Sequence, residues 1–128
     1  MNNFDINSDI RVAETLSSSF YTDESFFEES KEKIFARTWQ LVGLESEVDN
    51  ILPKGLLEDF LSEPILFTRD SSGVLNCISN VCTHRGKVIV EDACEGERLR
   101  CGYHGRRFSL DGNCFSMPEF EHVKNFPC

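Results

Sequence analysis

The strongest constraint in the sequence is a pair of short segments, Cys82-Thr83-His84-Arg85-Gly86 and Cys101-Gly102-Tyr103-His104-Gly105. Each offers one thiol and one imidazole, two side chains that bind soft and borderline metals. Sixteen residues separate His84 from Cys101, so two distinct loops must be brought together. Glycine stands close behind each ligand-type residue, and glycine lets a backbone turn tightly around a metal.

Four chemical readings compete for these residues. A Cys2His2 zinc site is common, but its usual spacing pairs Cys with Cys and His with His, whereas each loop here mixes the two. Core residues without a metal would leave two mixed pairs beside glycine unexplained. A Cys82–Cys101 disulfide would leave both histidines without a role. The fourth reading is a [2Fe–2S] cluster with Cys82 and Cys101 on one iron and His84 and His104 on the other, the variant in which imidazoles replace two thiolates and raise the potential. The order C-x-H…C-x-x-H is that ligand set.

The rest of the composition narrows the class. A chain of 128 residues fits one domain with a real hydrophobic core. The net charge of −9 disfavours nucleic acid, which needs a basic surface. No apolar run approaches a bilayer span, and the start Met1-Asn2-Asn3-Phe4-Asp5 lacks the basic, apolar pattern of a secretory signal. A cytoplasmic chain with no membrane partner is expected. In a reducing compartment the other four cysteines, Cys77, Cys94, Cys114 and Cys128, are expected to be free thiols, with Cys77 and Cys114 packing in strands.

Residues 1–22 read as a loosely structured, Ser-rich segment, and 23–128 as the cluster-binding domain with a leading helix. The spacing predicts that helix over 23–37, capped by Thr22 or Asp23, with Phe27, Ser30 and Ile34 on one stripe. The remainder reads as β: Trp39–Gly43, Leu56–Phe60 after a Pro53-Lys54-Gly55 turn, Pro64–Arg69 and Val74–Ser79 around an Asp70–Gly73 hairpin loop, then Arg98–Cys101 and Arg107–Leu110, with a turn at Asp111-Gly112. Short strands at this spacing predict a mainly β antiparallel sandwich or barrel, preceded by the helix and bearing a cluster-binding tip made of two loops. The abrupt end at Phe120–Cys128 suggests a fragment of a longer protein.

These segments resemble the Rieske domain of the ring-hydroxylating (Rieske non-haem iron) oxygenase large subunits. The features are Asn80, Cys82-Thr-His84-Arg-Gly, Arg100-Cys101-Gly-Tyr-His104-Gly and Phe108-Ser-Leu-Asp-Gly112, with Ile34-Phe35-Ala-Arg-Thr-Trp39-Gln-Leu-Val-Gly43 upstream. The likeness covers about residues 20–127. Arg106 is a departure, because the family often has Trp there. Respiratory Rieske proteins differ further: the resemblance puts Lys87 and Tyr103 where they carry a bracing disulfide, and Arg106 and Phe108 where they carry Ser and Tyr hydroxyls. The resemblance therefore implies a potential toward the low end of the Rieske range.

The same resemblance implies an electron-transfer role within an oxygenase, a dioxygenase or monooxygenase. Single electrons would pass from a reductase or ferredoxin to a mononuclear Fe(II) site that activates O2 for hydroxylation or demethylation. That iron is held by two His and a carboxylate in a catalytic domain. Of the three histidines here only His122 lies outside the cluster set, so the mononuclear iron belongs to the full-length protein only, and this chain has no catalytic residues of its own. A stand-alone Rieske-type ferredoxin is the alternative. The basic residues Arg85, Lys87, Arg106 and Arg107 crowd the ligand loops, either as a docking rim for an acidic partner or as local structure.

Overall fold

The computed structural model describes residues 6–59 and 61–126. The chain divides into two compact units, Met1–Trp39 and Gln40–Cys128.

In the first unit, the segment expected to be loosely structured contains one short helix, α1 (Ser18–Thr22), in which the Thr22 hydroxyl donates to the Ser18 carbonyl. Asp23 then caps α2 (Glu24–Lys33), its carboxylate accepting from the Ser25 N–H at 2.9 Å and the Ser25 hydroxyl at 2.7 Å. The cap occupies an N–H that the first turn leaves without a partner. Lys31 and Lys33 pair with Glu28 and Glu29 along the helix. The helix ends earlier than the 23–37 reading: Ile34 is its C-cap, donating its N–H to the Ser30 carbonyl, and a 3-10 turn follows at Phe35–Arg37. Arg37 closes this end by donating from Nε to the Glu32 carbonyl at 3.0 Å.

The second unit is built on two three-stranded antiparallel sheets. One has the order β1 (Ile51–Leu56), β2 (Glu63–Arg69), β3 (Leu75–Ser79). The other has the order β4 (Leu99–Arg100), β5 (Arg107–Phe108), β6 (Cys114–Ser116). The β2–β3 hairpin is where the sequence placed it. Asp70 organises its loop by accepting from the N–H groups of Ser72 and Val74, and Gly73 takes φ +85°. The Asp111-Gly112 turn is also present, with Gly112 at φ +89° between β5 and β6.

Two strand assignments differ from the sequence reading. Trp39–Gly43 is not a strand, since apolar propensity favours one only where a partner strand completes the ladder. Pro53-Lys54-Gly55 is not a turn but the middle of β1, opposite Leu66, Ile65 and Pro64. β1 is an edge strand, where the missing N–H of a proline is tolerated. The reversal comes after it instead, through Leu57, Asp59 and Ser62, all at positive φ, so of the expected strand Leu56–Phe60 only Leu56 is in a strand, as the last residue of β1, and Leu57–Asp59 are not. Phe60 itself lies outside the described residues, as does Cys128.

The core joins the two sheets and includes both loop cysteines: Ile51, Leu66, Cys82, Leu99, Cys101, Phe108 and Leu110 form one buried cluster. A buried polar tie reinforces it, since the Thr68 hydroxyl of β2 donates to the Leu110 carbonyl just after β5.

Candidate metal centre

The two ligand-type loops are closed in the same way. In the first, the Cys82 N–H donates to the Lys87 carbonyl at 2.8 Å and the Gly86 N–H donates to the Cys82 carbonyl at 2.9 Å. In the second, the Cys101 N–H donates to the Arg106 carbonyl at 2.9 Å and the Gly105 N–H donates to the Cys101 carbonyl at 3.1 Å. Gly86 and Gly105 sit at φ +70° and +74°, which side-chain-bearing residues rarely adopt. A methyl group at Gly105 would also approach Pro118 Cγ to 3.0 Å, whereas the same addition at Gly86 meets open space.

Each loop is anchored on the core side. Asn80 is buried, and its amide pairs with the backbone of Val90 in both directions: Nδ2 donates to the Val90 carbonyl at 2.7 Å, and the Val90 N–H donates to Oδ1 at 3.0 Å. The Ile89 N–H adds a bond to the Asn80 carbonyl at 3.0 Å, and Val81 and Val88 form a bridge. The stem of the first loop is thus clamped from 80 to 90. The second loop is clamped by the β4–β5 pair Arg100 and Arg107.

The four predicted ligands come together as two unlike pairs. Cys82 and Cys101 are both 2% exposed and both free thiols. Each acts on the ionisation of the other, and the two thiols shift in opposite directions. Burial pushes the Cys82 thiol up, more than the His84 N–H offsets, with the neighbouring Cys101 adding to the rise. At Cys101 burial acts in the same sense but is outweighed by the Tyr103 N–H, the Cys82 thiol, the His104 N–H and the Lys87 charge, so the thiol is lowered. On the outer side His84 and His104 are exposed, with ring centroids 4.7 Å apart at 68°. Local desolvation lowers His84, and His104, Arg85 and Arg106 add to the effect, which favours the neutral imidazole that a metal requires. Two pairs, one of sulfur and one of nitrogen, suit a two-iron centre.

Some of the site was not foreseen. Tyr103 stacks on His104 at 3.8 Å between centroids and 30° between planes. Arg106 donates from Nη1 to the Thr83 hydroxyl at 2.6 Å, linking the loops, and its guanidinium lies 5.4 Å from the Phe126 ring centroid. Lys87 is paired with Glu91 at 3.0 Å. Of the four basic residues near the loops, Arg106 therefore has a local structural contact and Lys87 an ionic partner, while Arg85 is exposed. The sequence signal for these contacts was only the departure at Arg106; the Thr83 link depends on tertiary placement. His122 is exposed.

The chain is similar to known proteins over most of its length. The carnitine monooxygenase oxygenase subunit of Escherichia coli (strain K12) is 35% identical over 113 residues, which is 88% of this chain and 30% of that protein. The chlorobenzene dioxygenase subunit alpha of Cupriavidus sp. (strain PS12) is 33% identical over 110 residues, 84% of this chain and 24% of its own length. The chain thus spans less than a third of these curated relatives. Among solved structures, that of the quaternary ammonium Rieske monooxygenase CntA in complex with L-carnitine superposes with a TM-score of 0.73 at 32% identity, covering 90% of this chain and 33% of that one. The model of the Rieske [2Fe–2S] domain matches residues 38–127. With that match over most of its length, the chain belongs to the Rieske [2Fe–2S] domain family.

Proposed function

We propose that Cys82 and Cys101 hold one iron and His84 and His104 the other iron of a [2Fe–2S] cluster, and that the chain is the electron-transfer domain of an oxygenase. The observation that carries this reading is the division of the four side chains into a buried thiol pair and an exposed imidazole pair on two loops of the same closure. When bound, the cluster supplies reversible one-electron chemistry. The protein's part is to hold two thiolates out of water, to keep two neutral imidazoles at the surface, and to fix both loops through Asn80, Gly86 and Gly105.

On this reading the chain stands between a reductase or ferredoxin and a mononuclear Fe(II) site in the catalytic domain of its parent protein. There O2 would be activated for hydroxylation or demethylation of an organic substrate. The similarity to oxygenase subunits, over a fraction of their length, supports that placement. A cytoplasmic location belongs to the proposal. No helix among the described residues is long and apolar enough to cross a membrane, and Cys77, Cys94 and Cys114 are free thiols, as a reducing compartment keeps them.

The test is metal and sulfide analysis with visible and EPR spectra before and after dithionite. Two iron and two sulfide per chain, with a paramagnetic signal on reduction, are expected. Replacing His84 or His104 with Ala should bleach or destabilise the centre. An intact spectrum in a protein carrying both Cys82→Ser and Cys101→Ser would overturn the assignment.

A further inference from the structure

Arg106 lies immediately after the second loop, and Thr83 lies between the two ligand-type residues of the first. Their bond, from guanidinium Nη1 to hydroxyl Oγ1 at 2.6 Å, spans 23 residues of sequence and joins side chains of the two loops directly. The arginine is itself held. Its backbone carbonyl accepts from Cys101, and its guanidinium lies over Phe126. Its Nε is buried without a hydrogen-bond partner among the described residues, which is unusual for so polar an atom. No other side chain–side chain hydrogen bond joins residues 82–86 to residues 101–106 among the described residues.

We propose that Arg106 is a positioning residue that clasps the two ligand loops through Thr83 and so fixes the separation of the His84 and His104 imidazoles. The inference rests on the cluster reading for its consequence, while the contact itself joins protein atoms alone. A link across one side of the site has two effects. It resists the spreading of the loops that must precede loss of iron. It also holds the imidazole pair in one relative orientation, to which the magnetic anisotropy of a reduced centre is sensitive. A fixed cation beside His84 further favours the reduced, more negative state.

The experiment uses the full 128-residue chain with four variants: Arg106→Gln, Thr83→Val, both together, and Thr83→Ser. Urea unfolding of the first three with the wild type, all prepared alike, forms a double-mutant cycle. A non-additivity of roughly three- to tenfold in the unfolding constant is expected for a charge-assisted bond at an exposed site. In the iron-loaded protein, release of iron to a chelator should accelerate several-fold in Arg106→Gln and Thr83→Val alike, and no further in the double variant. Both should shift the EPR g-values. Arg106→Gln alone should also move the midpoint potential clearly downward, because only it removes charge. Thr83→Ser keeps the hydroxyl and should restore wild-type release and spectrum. Additive effects in the urea cycle, or Thr83→Val indistinguishable from wild type in iron release, would overturn the clasp. A wild-type chain that takes up no two-iron centre would instead overturn the cluster reading, and the urea cycle would still decide whether the clasp exists.

Discussion

Replacing Asn80 with alanine should weaken the first ligand loop more than any exposed substitution within it. The side chain is 2% exposed and makes two bonds, both to Val90, at 2.7 and 3.0 Å. Alanine removes both and leaves the Val90 N–H and carbonyl to find new partners. An unsatisfied buried group costs about 1–3 kcal/mol. Val90 is only half-buried, so water recovers part of this, and about 2–4 kcal/mol for the two groups together is a reasonable sum. Against a total stability of about 5–15 kcal/mol that is a large fraction. With a urea m-value of about 1.5 kcal/mol/M, the midpoint should fall by about 1.3–2.7 M. Native-state hydrogen exchange gives a local readout, since the Val90 amide should lose protection before the amides of β2. Asn80→Asp keeps the acceptor for the Val90 N–H but buries a charge and loses the donor, and should be at least as damaging. A midpoint shift in Asn80→Ala below about 0.3 M, with Val90 still protected, would refute the reasoning, because the clamp would then have no energetic weight.

Gly105→Ala should impair iron retention more than Gly86→Ala: both meet the positive-φ strain of about 1–2 kcal/mol, but only the former also crowds Pro118 at 3.0 Å, and chelator-driven iron release measures the difference. The midpoint potential should lie toward about −150 mV rather than about +300 mV, since neither Arg106 nor Phe108 brings a hydroxyl; a redox titration followed by EPR decides. The Asp70 carboxyl lies below its ordinary value of 3.8, held there first by the Ser72 hydroxyl and then by the Val74 N–H. Its folded-state value is thus below the unfolded one, so its stabilisation is complete above the unfolded value and disappears as pH falls through the folded one; the gap between wild type and Asp70→Ala in urea midpoint should be constant from pH 7 to 5 and close below about pH 4.

What the sequence revealed and concealed follows from the range of the interactions. The β2–β3 hairpin was legible because Asp70 and Gly73 fix their turn within five residues of chain. The Asp23 cap was legible for the same reason. Pro53-Lys54-Gly55 misled because proline and glycine mark turns only on average. An edge strand accepts both, and nothing local announces that β1 lies at an edge. Trp39–Gly43 misled in the opposite sense: its composition favours a strand, but pairing depends on a partner elsewhere. At the site, residue types and spacing were enough to nominate Cys82, His84, Cys101 and His104. They could not show that the thiols would be buried and the imidazoles exposed, because that depends on how two sheets meet around Leu66, Leu99 and Phe108.

That difference in burial is what makes the arrangement suitable for passing electrons. A thiolate pair exposed to water would be open to oxidation and protonation, so its place is beside the core, among residues too tightly packed to yield. An imidazole pair in the same surroundings would be cut off from any partner, and partners must approach closely. Two loops of the same closure reconcile the demands, because in each the cysteine comes first, at the base anchored in the core, and the histidine follows two or three residues later, further from it. The difference of one residue between Cys-x-His and Cys-x-x-His sets the two loops apart. The longer one places Tyr103 where it can stack on His104, whereas the shorter one places Thr83 where Arg106 can reach it. One loop thus braces its histidine from within and the other is braced from its neighbour, so exposure of the imidazoles need not mean freedom of the loops that carry them.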